Sequence, residues 1–462
     1  MRKKIIVMSA ILSIVLTACG TGSEKSNTNV YEYGDIQTQT PAPNKGDDNS
    51  EAGLPTYDPM SATQALTYPP DRKMETKTSY YKEQLGSNAR KAFDALYYAA
   101  DEYNTNIELS GQQLITPAEL EKVMHVLFLD CPELFWLEPV YSYHVRTDAS
   151  QGTGMEKQNV DSVTLYFSMT ADEAESIKEG LARKKPDVLQ SLKDNDYSNI
   201  QGVAKNVMDT SIQYGSVAIG RDGDYDFSCM KPFQSSKLNS IGISKLVMYW
   251  MRESGIDCTI ALGEPVSPTL SQSNELITDY LNFKEIQGEG DFYTVRYNYS
   301  CYWAWNLVKI DSQWYNYDYA YSLLLSDLNK LDRNRDTLLF STDLLMSQTR
   351  LSYMNEEIIG MMPSCTDNNF LRSYREGWYV LPLTETQSLR KLQEILSDCD
   401  SKNSATILLQ CGDEATFNYL TGNFEEQLEN YNTNRGNPIG SYKTKFIRDS
   451  LIFCVYDIVH NY

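Results

Sequence analysis

Imidazole is scarce in this chain. Among 462 residues there are three histidines, His125, His144 and His460, so few proton-transfer sites of the imidazole kind can be assembled. No C-x-x-C occurs and no Cys/His group has zinc-ligand spacing, so no metal and no cofactor is implied. Positive charge is short as well. Lys and Arg number 41 against 62 Asp and Glu, a formal charge of -21. A surface this acidic disfavours nucleic acid and anionic lipid as partners, because a large basic patch has little to be built from.

Apolar residues make up 41% and aromatics 11% of the chain, with 33 tyrosines, enough for a sizeable core. At the N-terminus, Arg2-Lys3-Lys4 precedes the apolar stretch Ile5 to Val15, which is too short for a stable transmembrane anchor. It leads into Leu16-Thr17-Ala18-Cys19-Gly20, a run that resembles the bacterial lipobox. That resemblance implies a signal peptide over 1–18, cleavage before Cys19 and acylation of its thiol. Two or more acyl chains anchor stably by burial of methylenes. The expected location is the extracytoplasmic face of a bacterial cell membrane, with the membrane as a partner through lipid. Residues 19–75 read as a tether rich in Gly, Ser, Asn, Thr, Asp and Pro, with little apolar surface to offset the entropy of ordering it. The other eight cysteines, Cys131, Cys229, Cys258, Cys301, Cys365, Cys399, Cys411 and Cys454, are even in number. Both disulfides and buried thiols fit them.

Residues 76–194 form an N-terminal α/β region. Ala89, Ala92, Phe93, Leu96, Ala99 and Ala100 recur at helical spacing within 79–102. Thr116-Pro117-Ala118-Glu119 marks a second helix, with a cap, a proline at the first position and a box residue. Strands are expected at 140–146 and 160–167. In the latter, alternation sets Val160, Ser162, Thr164 and Tyr166 on one face and Asp161, Val163, Leu165 and Phe167 on the other. A helix opens at Ala171 and runs to about Lys184, with Pro186 starting the next, and another helix is expected over 198–213. His125 on its helix and His144 on its strand read as packed or exposed side chains rather than catalytic groups.

The stretch from Ser240 to Asp318 is the most informative. Ser240-Ile241-Gly242-Ile243-Ser244 opens a helix that stops at Gly255-Ile256. Two strands, Trp303 to Ile310 and Gln313 to Asp318, follow across an Asp-Ser turn. Layout and motifs together resemble the bacterial transglutaminase-like (papain-like) superfamily. In that family a Cys opens the helix, a His precedes Ala-Trp-Asn, and an Asp ends the later strand. The resemblance places Ser240 at the nucleophile position, Trp303 at the base position and Asp318 at the orienting acid. A serine hydroxyl depends on a base, and an indole has one N–H donor and no acceptor. The triad is therefore degenerate, and Asp318 is expected to accept a hydrogen bond from a core donor such as the Trp303 indole. Lys245 lies five residues beyond Ser240, about 140° around the helix, which argues against a Ser-Lys dyad. Cys301 shares a strand face with Trp303 but lacks a base. Asp222-Gly223-Asp224-Tyr225-Asp226 is oxygen-rich without the full calcium-loop pattern and reads as an acidic turn.

Tyr302, Trp303, Trp305 and Tyr317 are the candidate ligand-binding aromatics, with plain core packing as the competing reading. From 371 to 462 the order β-α-β-α-β-β suggests a small C-terminal α/β module, with helices at 386–397 and through Phe417, Leu420 and Phe424. The fold class expected is α+β, with a transglutaminase-like core at 195–370. The function expected is a non-catalytic cell-surface lipoprotein that binds cell-wall peptide, glycan or a surface protein. The alternative is a thiol- or serine-dependent peptidase or acyl transferase with an atypical site.

Overall fold

The computed structural model describes residues 66–67, 79–149, 156–194, 216–217, 237–238, 240–265, 283–299, 302–310, 312–324, 340–341, 351–353, 355–367, 378–448 and 451–461. The chain divides into two compact units, Met1–Gly53 and Leu54–Tyr462, and every described residue lies in the second. Cys19, the tether before 66, the helix expected at 198–213, Asp222 to Asp226, Cys229 and Cys301 fall outside the described residues. The fold is mixed α+β. Its helices are α1 Ser87–Asp101, α2 Pro117–Asp130, α3 Ala171–Asp194, α4 Ser240–Glu253, α5 Tyr319–Leu324, α6 Asn355–Ile358, α7 Glu385–Ser401 and α8 Glu414–Arg435.

A six-stranded sheet runs in the order β1 (Leu66–Thr67), β2 (Asn106–Glu108), β4 (Glu156–Phe167), β3 (Leu137–Ala149), β9 (Phe292–Tyr297) and β8 (Lys284–Glu289). A five-stranded sheet has the order β12 (Phe340–Ser341), β11 (Gln313–Tyr317), β10 (Trp303–Ile310), β7 (Cys258–Pro265) and β13 (Leu351–Tyr353). A two-stranded sheet pairs β5 (Ser216–Val217) with β6 (Lys237–Leu238) in parallel. The C-terminal sheet is β14 (Tyr379–Val380), β15 (Ile407–Cys411), β17 (Ile452–Tyr456) and β16 (Lys443–Ile447), carrying α7 and α8 between its strands in the β-α-β-α-β-β order.

Local chemistry explains most of the helix ends. Thr116 and Glu119 close a reciprocal capping box on α2, with Pro117 at the first turn, and Thr384 and Gln387 do the same for α7. Asp413 caps α8, which stops at Gly436 in the left-handed region (φ 80°). One expectation needs correcting. Pro186 does not start a new helix; α3 runs through it. A proline inside a helix removes one ladder bond and crowds the carbonyl four residues back, at a cost of about 3 kcal/mol, yet the flanking turns remain helical. Short-range pattern missed the β8–β9 hairpin, although Gly290-Asp291 supplies a two-residue turn with φ 63° at the glycine.

Helices α1 and α2 pack on one face of the six-stranded sheet, where Ile107, Tyr141, Val163, Leu165 and Val295 join Phe93, Leu96, Leu127 and Phe128 in one core. That core continues through α4, β7 and β10 to Trp250, Ile260 and Trp305. Residues on both sides of position 195 therefore share a sheet and a core, since β9 pairs with β3. The C-terminal module has its own core around Leu392, Phe417, Phe424 and Phe453, while Ile452 and Leu408 pack into the larger one.

One carboxylate ties several segments together. Asp130, wholly buried at the end of α2, accepts from Ser79 Oγ (2.5 Å), Tyr81 N (3.2 Å), Thr259 Oγ1 (2.7 Å) and Arg252 Nη2 (2.5 Å). Arg252, at the end of α4, also donates Nη1 to the Asp130 carbonyl (2.6 Å) and Nε to the Cys258 carbonyl (2.8 Å). Four donors compensate the buried carboxylate, whereas losing its charged partner Arg252 would leave it without an opposite charge. The α2 end, the α4 end and the start of β7 are thereby pinned relative to one another. Cys131, Cys258, Cys399 and Cys411 are buried free thiols, and Cys365 and Cys454 are buried too. Burial pushes the Cys131 thiol well above its ordinary value and raises Cys258 to about 12.

Candidate functional site

Ser240 is the first residue of α4, and α4 lies against β10 and β7. The joint between them is specific. Asn306, on β10, donates its side-chain amide to the Ser244 carbonyl (2.9 Å) in the first turns of α4 and to the Thr259 carbonyl (3.3 Å) on β7. Next to it, the backbone N–H of Ala304 donates to Ser240 Oγ at 3.1 Å. The helix start and the strand are thus riveted through two side chains that the Ser-x-x-x-Ser and Ala-Trp-Asn stretches place there. Ser240 is 6% exposed.

Trp303 opens β10 and is opposite Gly263 of β7, while Asp318 follows the last residue of β11. The indole Nε1–H of Trp303 lies 3.3 Å from Oδ1 and 3.2 Å from Oδ2 of Asp318, so one donor is shared between the two carboxylate oxygens. Oδ1 of the same carboxylate accepts the backbone N–H of Tyr321 at 3.0 Å. Tyr321 is the third residue of α5, so Asp318 acts as that helix's cap. The carboxylate is 1% exposed. Both the helix end and the indole are structural donors to it.

The three histidines are elsewhere. His125 is buried on α2, its Nδ1 2.5 Å from Tyr299 Oη and its Nε2 3.8 Å from Glu121 Oε1. Burial holds the imidazole below its ordinary pKa, against the pull of Glu121. His125 in turn is the first influence holding Glu121 down to about 2; the Lys284 ammonium (2.6 Å) and Tyr297 hydroxyl (2.8 Å) add to it against the opposing effect of burial. His144 is on β3, and His460, near the chain end, faces the Ser404 carbonyl (3.1 Å). None of them hydrogen-bonds Ser240, and Trp303 has no lone pair to receive the serine proton. Lys245 is buried, and its charge acts at the Cys131 thiol. Among the described residues, no group of three or more His, Cys, Asp or Glu is placed to hold a metal ion.

The aromatic candidates separate on burial. Trp303 is 4% exposed, and Trp305 and Tyr317 are fully buried, so these three are core residues with no face for a solute. Trp305 spends its N–H on Asn316 Oδ1 (2.8 Å). Only Tyr302 is partly exposed, packed edge-on against Phe283. The stacking surface expected along β10 and β11 is therefore interior packing. Strand alternation could not decide this, because both faces of β10 are covered.

Sequence pattern also missed a pair on the six-stranded sheet. His144 Nδ1 lies 2.7 Å from Asp161 Oδ1. Simple alternation had set Asp161 with Val163 and Leu165, and Val160 with Ser162. A register shift between His144 and Val145 makes Val145 face Val160 and His144 face Ser162, leaving Asp161 as the extra residue. Val160 then turns into the core and Asp161 reaches the imidazole. No local signal in the sequence marks that bulge.

No protein-family model matches the chain, and no curated protein matches it. Solved structures with partial likeness include two chains. One, from Parabacteroides distasonis and provisionally assigned as a protease, is 10% identical over 38% of this chain and 37% of its own length, with a TM-score of 0.19. The other, the periplasmic domain of TgpA from Pseudomonas aeruginosa bound to ethylmercury, is 12% identical over 38% of this chain and 64% of its own, with a TM-score of 0.18. The chain thus spans less than two thirds of either. Likeness this distant carries no argument for fold or activity. Among the described residues no helix is long and apolar enough to cross a membrane.

Proposed function

We propose that this chain is a non-catalytic binding module, lipid-anchored through Cys19 outside the cell membrane and built on a degenerate transglutaminase-like core. The observation that carries the reading is the use made of Asp318. Its carboxylate caps α5 and takes the Trp303 indole, the side chain that stands where the family resemblance puts a base. A triad acid works by orienting an imidazole and stabilising its positive charge. This one orients a group that cannot accept a proton. Ser240 completes the picture: its oxygen accepts a backbone N–H from within the core rather than donating to a base.

The test is direct. The purified full chain, mixed with glutaminyl peptides, primary amines and cell-wall peptides, is expected to give neither amide transfer nor hydrolysis. Turnover that disappears in Ser240→Ala or Asp318→Asn would overturn the reading. The anchor is tested separately. Metabolic labelling with a palmitate analogue is expected to mark the wild-type chain and to fail with Cys19→Ala; equal labelling of both would remove the lipoprotein part.

A further inference from the structure

The interior at Trp303 and Trp305 offers no room to a solute, and the tyrosines on the helix-covered face of the six-stranded sheet use their rings on one another. Tyr143 stacks on Tyr293 (5.3 Å, 20°) and on Tyr141 (5.9 Å, 30°). Tyr293 in turn lies against Gly288, where an added Cβ would stand 2.7 Å from the ring. The opposite face of the same sheet has different chemistry. We propose that this polar face is the ligand-binding surface and that its ligand is a neutral oligosaccharide, an inference that rests on the non-catalytic binding reading above.

Strand register builds the face in rows. Asn106, Thr164, Ser142 and Thr294 stand side by side across β2, β4, β3 and β9, and Ser162, His144 and Phe292 form the next row. Neighbouring strands set such groups about 4.8 Å apart, the scale of one pyranose ring. The side chains are fixed before any ligand arrives. Ser142 Oγ lies 2.8 Å from the Tyr166 hydroxyl and 2.7 Å from Thr294 Oγ1, and Thr164 Oγ1 donates to Asn106 Oδ1 at 2.9 Å. Asp161, delivered by the bulge, locks the imidazole of His144 through Nδ1, and Nε2 makes no hydrogen bond to another described residue. The Phe292 ring stands 4.6 Å from that imidazole, and both are partly exposed.

A solvated antiparallel sheet shows polar side chains by default. It requires neither a wholly buried serine at the centre of a hydroxyl relay nor a carboxylate spent on holding one imidazole still. Fixed donors and acceptors reduce the ordering cost of binding. The array also selects its ligand class. Ser142 and Thr294 are buried and brace the face from within. The partly exposed Asn106, Thr164, Ser162 and His144 present amide, hydroxyl and imidazole groups that match sugar hydroxyls, which donate and accept alike, and the partly exposed Phe292 ring suits a sugar's C–H face. Exposed Glu108 and Glu289 end the second row on either side, and with a formal charge of -21 they repel anionic polymers. An apolar peptide would find a single phenyl ring and no apolar pocket beside it.

The test uses the full chain in mild detergent on an array of neutral hexose and N-acetylhexosamine oligosaccharides, with uronic-acid oligosaccharides and a lysine-rich peptide as comparators. Titration calorimetry then follows the tightest neutral sugar. Phe292→Leu and His144→Ala are each expected to weaken it about tenfold with unchanged circular dichroism, while Phe292→Tyr and the remote surface change Leu381→Ser retain affinity. Capture of the lysine-rich peptide alone, absence of any neutral-sugar binding, or sugar affinity that survives both weakening changes would each overturn the proposal. All three leave the non-catalytic reading standing, because that reading fails only by turnover.

Discussion

If Asp318 is committed to the Trp303 indole, removing the indole N–H must cost folding stability and the two residues must be energetically coupled. Trp303→Phe deletes the donor and leaves the buried carboxylate with the Tyr321 N–H still in place. A hydrogen bond to a charged group contributes about 1.5–3 kcal/mol. The distances here, 3.2 and 3.3 Å, are longer than the usual N–H···O separation, so the lower figure applies, about 1.5 kcal/mol. Trading a buried indole for a phenyl ring adds on the order of 1 kcal/mol for lost packing. Asp318→Asn keeps the helix cap but weakens the acceptor, so the double-mutant cycle isolates the contact. Urea unfolding of the four proteins should show shifted midpoints at constant slope and a coupling of about 1–2 kcal/mol. Coupling no larger than the roughly 0.3 kcal/mol seen between unconnected sites would mean the carboxylate does not serve the indole, and the structural account of Asp318 would fall.

Arg252→Met strands the buried Asp130 carboxylate and should cost about 3–5 kcal/mol in the same denaturation assay, with part of the loss recovered in Arg252→Met/Asp130→Leu. Glu121 has a folded pKa of about 2, below its ordinary 4.5, so its contribution is present above about pH 4.5 and is lost as pH falls toward 2. Lys284→Met should therefore raise the pH of the acid-unfolding midpoint; an unmoved midpoint would show that the ammonium does not hold that carboxylate down. Gly360 has φ 147°, and a Cβ there would stand 2.8 Å from Gln84 Oε1, the atom that accepts from Met361 N. Gly360→Ala is expected to destabilise by about 1–3 kcal/mol, read by thermal melting against Gly422→Ala, where nothing stands within 4 Å.

What the chain determined unaided was local. Thr116-Pro117-Ala118-Glu119 specified the start of α2, and Ser240 and Gly255 bracketed α4, because a cap or a left-handed glycine acts within one turn of its own position. The Trp303–Asp318 contact was also legible, since an indole facing a carboxylate in place of an imidazole leaves few other donors. Tertiary structure alone decided the rest. Whether Trp305 and Tyr317 stack on a ligand or fill the interior depends on what covers both faces of β10, and no period in the chain reports that. The His144–Asp161 pair depends on one extra residue in a ladder, and the Asp130 cluster joins residues 79, 130, 252 and 259, whose proximity only the closed fold creates. Short-range sterics are written residue by residue, whereas pairings across a sheet or through a core are set by the free energy of the whole assembled chain.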